Sequence, residues 1–205
     1  PGYSFDLDGL TVGAGIETRF TPNISGKLEY RYVDYDENTL IGGEVDEDLF
    51  LRLYNDTSLQ TIRAVVSYRF GTPTADFSPV PVANWTGLRI GGGGGYGHIN
   101  HELSFDVEGD NVASLSGFTG EGGLFTVEAG YDYQFSDKFV AGIQFDYTGS
   151  SISTDVDIDV RPAFDFAGSY SLEASDNYTV AGRFGYLATP DTLVYGLIGW
   201  TWTDF

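Results

Sequence analysis

Apolar residues recur at every second position through most of this chain, and they follow helical spacing in none of it. Residues 123–135 are an example, since Phe125 and Val127 fall on one face and Glu128 and Asp132 on the other. A period of two places successive side chains on opposite faces of a β-strand. The pattern therefore predicts an all-β fold of eight strands without helices. The predicted strands are residues 10–20, 27–35, 59–70, 86–98, 123–135, 139–152, 177–188 and 193–202.

The predicted connections alternate between short and long. The short ones hold turn-forming Pro, Asn, Asp or Ser and lie at residues 21–24, 136–137 and 189–192. The long ones are polar and acidic and lie at residues 36–56, 100–120 and 153–176. Up-and-down strands with short turns at one end and long loops at the other are typical of a transmembrane β-barrel. A tilted strand of about 12 residues also spans the roughly 25 Å apolar band of such a barrel.

The direction of the apolar faces separates a membrane barrel from a soluble one. In a soluble lipocalin-like binding barrel the apolar face points inward, whereas in a membrane barrel it contacts lipid. Aromatic residues gather near the predicted strand ends, as at Phe20, Tyr32 and Phe70, where interfacial girdles lie. The opposite faces mix acidic, basic and glycine residues, which suits a lumen. We therefore predict an eight-stranded antiparallel up-and-down transmembrane β-barrel, and the soluble barrel is the alternative.

Twelve charged residues fall on the predicted lumen faces. They are Glu17, Arg19, Lys27, Glu29, Arg31, Arg63, Arg69, Arg89, Glu128, Asp132, Asp146 and Arg183. Eight strands enclose a space just wide enough for side chains to fill, and buried charges are tolerated only when they pair. We predict that these residues form one ion-pair network that plugs the lumen. A small porin-like channel is the alternative.

The sequence predicts neither an enzyme nor an organic cofactor. The chain has no cysteine and only two histidines, so no arrangement of nucleophile and base can be argued from it. Glu128 and Asp132 share a predicted lumen face with basic residues, so ion pairing is the expectation for them rather than acid–base catalysis.

Three acidic residues suggest a metal site in the third long loop. Asp155, Asp157 and Asp159 alternate with apolar residues, so their carboxylates share one edge of the segment. Hard oxygen ligands of this kind suit Ca²⁺ or Mg²⁺. A solvated acidic surface is the alternative, because the spacing is not that of a dedicated cation loop.

Several segments resemble a known family. Residues 84–92, Asn-Trp-Thr-Gly-Leu-Arg-Ile-Gly-Gly, are similar to the opening strand of small alphaproteobacterial outer-membrane β-barrels, the porin-like and opacity-type surface antigens. Residues 12–17 and 27–34 resemble the sixth and seventh strands of that family, and residues 66–70 resemble its carboxyl-terminal strand, which ends in Phe. Residues 130–135, 181–186 and 193–196 resemble the middle strands of the family.

The order of these segments is rotated relative to the family. Residues 1–70 resemble its last three strands, residues 71–84 form a bridge, and residues 85–205 resemble its first five. We expect one barrel over residues 1–205, either as a circular permutant or as a window of a longer chain of tandem barrels. The first residue, Pro1, predicts a processed or excised chain.

The net charge of −20 is predicted to lie at one end of the barrel. The twelve lumen residues together carry +2, the short turns with the bridge −2, and the long-loop side −20. Such a charge would repel nucleic acid. The resemblance implies a bacterial outer-membrane location with extracellular long loops, and the lipid bilayer and lipopolysaccharide as partners, with self-association or tandem copies as a further expectation. The expected function is a structural role in envelope integrity, with the acidic loops serving surface interactions or assembly.

Overall fold

Eight antiparallel strands close into one barrel in chain order. The structure is a computed structural model that describes residues 6–46, 49–70, 84–107, 110–159 and 167–204, with side chains at 8–35, 57–70, 84–100, 120–150 and 176–203. The strands are β1 (Asp6–Arg19), β2 (Ile24–Asp46), β3 (Leu49–Phe70), β4 (Gly87–Val107), β5 (Asp110–Gln134), β6 (Phe139–Asp159), β7 (Ala167–Thr189) and β8 (Thr192–Asp204). β1 and β8 pair from Thr18–Thr192 to Asp6–Asp204 and close the barrel. The predicted eight-stranded up-and-down barrel is confirmed.

The barrel turns its apolar residues outward. Val66 and Ile198 on the outer wall are each 59% exposed, whereas Glu29 and Arg89 inside are fully buried. A water-soluble barrel would leave a continuous apolar wall in contact with solvent. The soluble lipocalin-like alternative is therefore wrong, and the outer wall is a lipid-facing surface. No helix within the described ranges is long and apolar enough to cross a membrane.

Aromatic side chains form two rings on the outer wall, one near each end of the barrel. The ring at the short turns contains a cluster in which Phe139 lies within 5.6 to 6.1 Å, between ring centroids, of Phe135, Phe184 and Tyr186. The ring at the opposite end contains Tyr30, Tyr96, Tyr147, Tyr178 and Trp202. Such rings mark the two membrane interfaces, with the apolar band between them.

The short connections are tight turns, as predicted. In the turn between β1 and β2, the amides of Phe20 and Thr21 both donate to the carbonyl of Ile24, at 2.8 and 3.2 Å. The turn between β7 and β8 contains only Pro190 and Asp191. We call this end of the barrel the turn end. Most of the bridge, residues 71–83, lies outside the described residues.

The prediction of three long loops is wrong, because most of their residues continue the strands. β2 and β3 remain paired out to Asp46–Leu49, and β4 and β5 out to Val107–Asp110. β6 and β7 likewise pair out to Asp159–Ala167. Beyond the apolar band a strand has no lipid-facing side to keep apolar, so stretches such as residues 36–46 and 110–120 lack the regular alternation that predicts strands. We call this end the hairpin end.

Candidate functional site: the charged lumen

Among the described side chains, eleven charged ones are buried inside the barrel, and we call them the lumen network. They are Glu17, Lys27, Glu29, Arg31, Arg63, Arg69, Arg89, Glu128, Asp132, Asp146 and Arg183. The strand alternation explains their position, because each has lipid-facing neighbours on either side of it in sequence. Six basic and five acidic groups leave the network with a formal charge of +1.

Asp132 is the centre of the network near the turn end. Its carboxylate accepts two hydrogen bonds of 2.7 Å from Arg183, one on each oxygen. Arg69 Nη1 and Arg89 Nε lie 2.9 and 3.2 Å from Asp132 Oδ2. Arg183 also donates to Glu17 at 2.8 Å. Three guanidinium groups thus surround the carboxylate of Asp132. The carboxylate of Glu17 binds a different nitrogen of Arg183.

Glu29 and Asp146 hold the part of the network nearer the hairpin end. Arg31 donates to Asp146 through Nη1 at 3.0 Å and Nη2 at 2.8 Å, and to Glu29 through Nε at 2.7 Å. Arg63 also bridges the two carboxylates, donating to Asp146 at 2.8 Å and to Glu29. Glu29 further accepts a 2.6 Å hydrogen bond from the hydroxyl of Tyr195. Two carboxylates and two guanidinium groups therefore form a closed square of ion pairs.

Glu128 joins these two groups into one network. Its oxygens lie 2.5 Å from Lys27 Nζ and 2.5 Å from Arg89 Nη1. The amide oxygen of Gln144 accepts from the same two cations, at 3.3 and 2.6 Å. Lys27 also lies 3.4 Å from Glu29, which completes the connection toward the hairpin end. A chain of ion pairs, bridged by Gln144, thus runs through the middle of the lumen.

Trp85 caps this network at the turn end. Its side chain is fully buried although it lies outside the strands. Its carbonyl accepts from Arg69 at 2.6 Å, its amide donates to Gln134 Oε1 at 2.9 Å, and its indole Nε1 donates to the Pro190 carbonyl at 3.0 Å. Arg19 lies here too, half-buried, with its guanidinium 5.3 Å from the Trp85 ring centroid. Arg19, one of the twelve predicted lumen residues, is thus part of the cap and lies outside the lumen network.

Gly87 lets the chain turn from this cap into β4. Its φ of +147° is a conformation that residues with a side chain rarely adopt. A Cβ at this position would also lie 2.5 Å from the carbonyl oxygen of Phe70. Glycine is therefore required where the chain leaves Trp85 and begins to pair with β3.

Apolar and hydroxyl side chains separate the lumen network from both ends. Trp85 packs in a buried cluster with Val140, Leu187 and Leu193 at the turn end. Toward the hairpin end, Val33, Tyr35, Leu59 and Ile99 form a second buried cluster. Beside it, the Tyr35 hydroxyl lies 2.7 Å from Thr203 Oγ1. The charged middle of the lumen is thus bounded by apolar layers, which limit its contact with water.

The structure adds residues to the predicted set. Tyr195 and Gln144 bind the network directly, and Trp85 closes it, although none of them was among the twelve predicted residues. The inward register of β8 and β6 was a signal for Tyr195 and Gln144. No comparable signal existed for Trp85, which lies just before the predicted strand of residues 86–98.

The predicted metal residues Asp155, Asp157 and Asp159 lie outside the described side chains, and the site stays a prediction. Where side chains are described, no group of three or more His, Asp or Glu residues could hold a metal ion. The lumen carboxylates contact guanidinium and ammonium groups, so their negative charge is already balanced.

Comparison with known proteins supports the membrane assignment. Two proteins called 31 kDa outer-membrane immunogenic protein, from Brucella melitensis biotype 1 and Brucella suis biovar 1, are each 34% identical over 153 residues. The match covers 70% of this chain and 59% of each Brucella protein, so the chain spans less than two thirds of their length. A 22 kDa outer membrane protein of Rhizobium leguminosarum bv. viciae is 42% identical over 52 residues, 25% of this chain and 23% of that protein.

Solved structures similar to this barrel share little sequence with it. Ail of Yersinia pestis has a TM-score of 0.38 at 10% identity, covering 98% of this chain and 97% of Ail. The N-terminal β-barrel domain of OprF from Pseudomonas aeruginosa has a TM-score of 0.28 at 15% identity, covering 96% of this chain and 97% of the domain. No family model matches the sequence. Its sequence relatives and its inverted barrel identify the chain as an outer-membrane β-barrel protein, similar to the outer-membrane proteins of Brucella and Rhizobium, that resides in the outer membrane.

Proposed function

We propose that this protein is a structural barrel of the outer membrane whose lumen does not conduct and whose hairpins act at the cell surface. The observation that carries the proposal is the lumen network, in which all eleven charges are buried and mutually paired. Breaking a buried ion pair leaves an uncompensated charge in a region of low dielectric. A rigid, membrane-anchored wall suits envelope integrity and requires no catalysis.

The contacts of the network argue against the porin-like alternative. A solute or hydrated ion crossing the lumen would have to part Arg31 and Arg63 from Asp146, and Arg183 from Asp132. It would also have to displace Trp85, which three hydrogen bonds hold across the turn end. The narrow width of an eight-stranded barrel offers no path beside these side chains.

The hairpin end would face the cell exterior, because short periplasmic turns and long extracellular segments are the usual arrangement in outer-membrane barrels. The word immunogenic in the name of the Brucella relatives supports surface exposure of this end. In this orientation the hairpins would present most of the chain's −20 charge to the exterior. Ca²⁺ or Mg²⁺ at Asp155, Asp157 and Asp159 would reduce repulsion from lipopolysaccharide.

The rotated order of segments remains part of the proposal. Residues 1–70, 71–84 and 85–205 would correspond to the family's last strands, a bridge and its first strands. The mass of the native polypeptide distinguishes a circular permutant from a member of a tandem array. A tandem array would also provide self-association. An intact mass near 22.3 kDa would leave only the permutant.

A deletion strain of the source bacterium tests the envelope role. We expect deletion to increase sensitivity to detergent and uptake of a hydrophobic dye, and the wild-type gene to restore both. A gene that encodes Asp137→Ala, a change at an exposed turn, should restore normal detergent sensitivity and dye uptake equally well. Unchanged detergent sensitivity and dye uptake in the deletion strain would contradict an envelope role.

Cysteine labelling tests the orientation, because the chain has no cysteine of its own. Asp110→Cys in the β4–β5 hairpin should react with a membrane-impermeant maleimide on intact cells. Asp137→Cys at the turn end should react only after the outer membrane is opened. The reverse pattern would show that the hairpins face the periplasm.

A further inference from the structure

β5 and β6 separate from each other at the hairpin end of the barrel. Their pairing ends at Glu121–Ser153, although both strands continue beyond that pair. Within the described backbone, β6 residues 154–159 pair only with β7, at residues 167–172. The side of β6 that faces away from β7 is therefore an unpaired strand edge over residues 154–159, and we call it the open edge.

Two β-bulges lie close to the point of separation. In β5, Gly117 has no partner on β4. β6 has one residue more than β7 between Gly149 and Ile152. A bulge bends its strand and increases the local twist, so these two account for the divergence of β5 from β6. Beyond Ile152 the pairing of β6 with β7 continues without a further register shift, and the open edge is therefore regular.

The open edge can accept a further strand. Its six residues, at about 3.3 Å each, form an edge roughly 20 Å long. Alternate residues of such an edge direct their N–H and C=O groups away from the neighbouring strand, and an extended chain can hydrogen-bond to them. The open edge begins beyond Tyr147 of the aromatic ring at the hairpin end, so it lies outside the apolar band and is accessible from water.

The charge of the open edge limits which strands can bind. Asp155, Asp157 and Asp159 occupy every second position, so they fall on one face of β6. The adjoining strand segments, residues 167–172 of β7 and 111–120 of β5, contain no charged residue. Within these described segments no Lys or Arg therefore balances the three aspartates.

We propose that the open edge binds an extended segment of another protein in which Lys or Arg occupies alternate positions. The segment adds to β6 as an antiparallel strand, and main-chain hydrogen bonds hold it there. Its basic residues stand opposite Asp155, Asp157 and Asp159, where opposite charges stabilise a cross-strand pair and like charges destabilise it. The same aspartates disfavour an acidic strand, such as a hairpin of a second copy of this chain.

This inference rests on the proposed surface role and adds the chemistry of the partner to it. It differs from cation binding at the same aspartates, because a strand also requires the main-chain groups of β6. Binding is measured on the purified protein, so the result depends neither on which way the hairpins face in the cell nor on whether the lumen conducts. A failure of the proposed function and a failure of this inference are therefore distinguishable.

Fluorescence anisotropy of a labelled peptide tests the binding. The full chain, refolded in zwitterionic detergent micelles, is titrated into a peptide as long as the open edge in which Lys and Val alternate. We expect saturable binding. A peptide of the same composition with its Lys residues in one block should bind about tenfold more weakly, because it cannot place a Lys opposite each aspartate.

Methylation of the peptide backbone tests the strand geometry. Methyl groups on the amide nitrogens of one alternate set of residues should abolish binding, because they block the edge of the peptide that meets β6. Methyl groups on the other alternate set should leave the affinity unchanged, since those amides face away from β6. Tolerance of both methylated peptides would overturn the proposal.

The variant Asp155→Asn/Asp157→Asn/Asp159→Asn tests the charge selection. It removes three charges and leaves the main chain of the open edge in place. We expect it to bind the alternating peptide about tenfold more weakly than the wild-type protein does, because three favourable cross-strand pairs are lost. Heat-modifiable gel mobility shows whether the barrel of the variant is folded.

A matched control removes the same amount of charge from another hairpin strand. Asp36→Asn/Glu44→Gln/Asp46→Asn on β2 should keep the wild-type affinity. An equal loss in this control, or equal affinity for the alternating and block peptides, would overturn the proposal in favour of general charge attraction. Absence of peptide binding would also overturn it, whether Ca²⁺ alone occupies the aspartates or wild-type dimers show that a second copy covers the edge.

Discussion

Replacing Asp146 with alanine should be among the most damaging single changes to the barrel. Asp146 holds Arg31 through two hydrogen bonds and Arg63 through a third. Without this carboxylate, both guanidinium groups share Glu29 as their remaining acidic partner in the square. The charge of the lumen network would also rise from +1 to +2.

The expected loss can be estimated from these contacts. Removing one partner of a buried ion pair costs roughly 3–5 kcal/mol, because the other charge remains buried without compensation. Asp146→Ala leaves two such cations, and Glu29 compensates part of the loss. We therefore expect a decrease of about 4 kcal/mol in the free energy of unfolding.

Urea unfolding of the refolded protein in detergent micelles measures this loss. Tryptophan fluorescence and heat-modifiable gel mobility report the transition. The matched control, Asp137→Ala, removes an exposed acid at a turn and should stay within about 0.5 kcal/mol of wild type. The double variant Arg63→Met/Asp146→Leu should lose less than the sum of its single variants, since it removes both charges of the pair.

Two outcomes would refute this reasoning. The first is a loss below about 1 kcal/mol for Asp146→Ala, which is the value of a solvent-exposed ion pair. The second is strict additivity in the double variant, since additivity would show that the two side chains do not interact in the folded protein.

The remaining predictions concern the same lumen. Arg31→Ala and Arg63→Ala should each increase ion leak through proteoliposomes, because each opens the square of ion pairs; an unchanged leak in both would contradict the plug. Trp85→Ala should lower the free energy of unfolding by roughly 3–5 kcal/mol in the same urea assay; a midpoint equal to wild type would show that the cap contributes nothing. Tyr195→Phe should lower it by about 2 kcal/mol through the lost hydrogen bond to Glu29, and a stabilised variant would contradict that bond.

Much of the membrane-embedded part could be predicted because it obeys one simple rule. Within the apolar band every outward residue meets lipid, so the period of two was visible, and residues such as Glu29 and Arg89 could be assigned to the lumen. The short turns could also be predicted, since a turn such as Pro190–Asp191 has the residues that its geometry favours.

The extent of the hairpins could not be predicted from the same rule. Both faces of a strand beyond the membrane meet water, so residues 36–46 and 110–120 have no constraint that would show their strand conformation in the sequence. Their acidic composition suggested loops instead.

Predicting which side chains contact each other inside the lumen requires the register between the strands of the barrel. Lys27 and Glu128 come together although they lie on β2 and β5, which are not neighbouring strands. The meeting of side chains across the lumen depends on how the closed sheet is staggered, and alternation along one strand carries no information about stagger. Trp85 was hidden for a similar reason, because its contacts come from β3, β5 and the turn between β7 and β8.

The central claim is that the paired charges close the lumen, and single-channel recording in planar bilayers tests it most directly. The wild-type protein, refolded and inserted at low concentration, should give no steady conductance steps, and Arg31→Ala should give measurable current under the same voltage and salt. Stable steps of uniform conductance from the wild-type protein would contradict the account, because they would require an open path past the lumen network and Trp85.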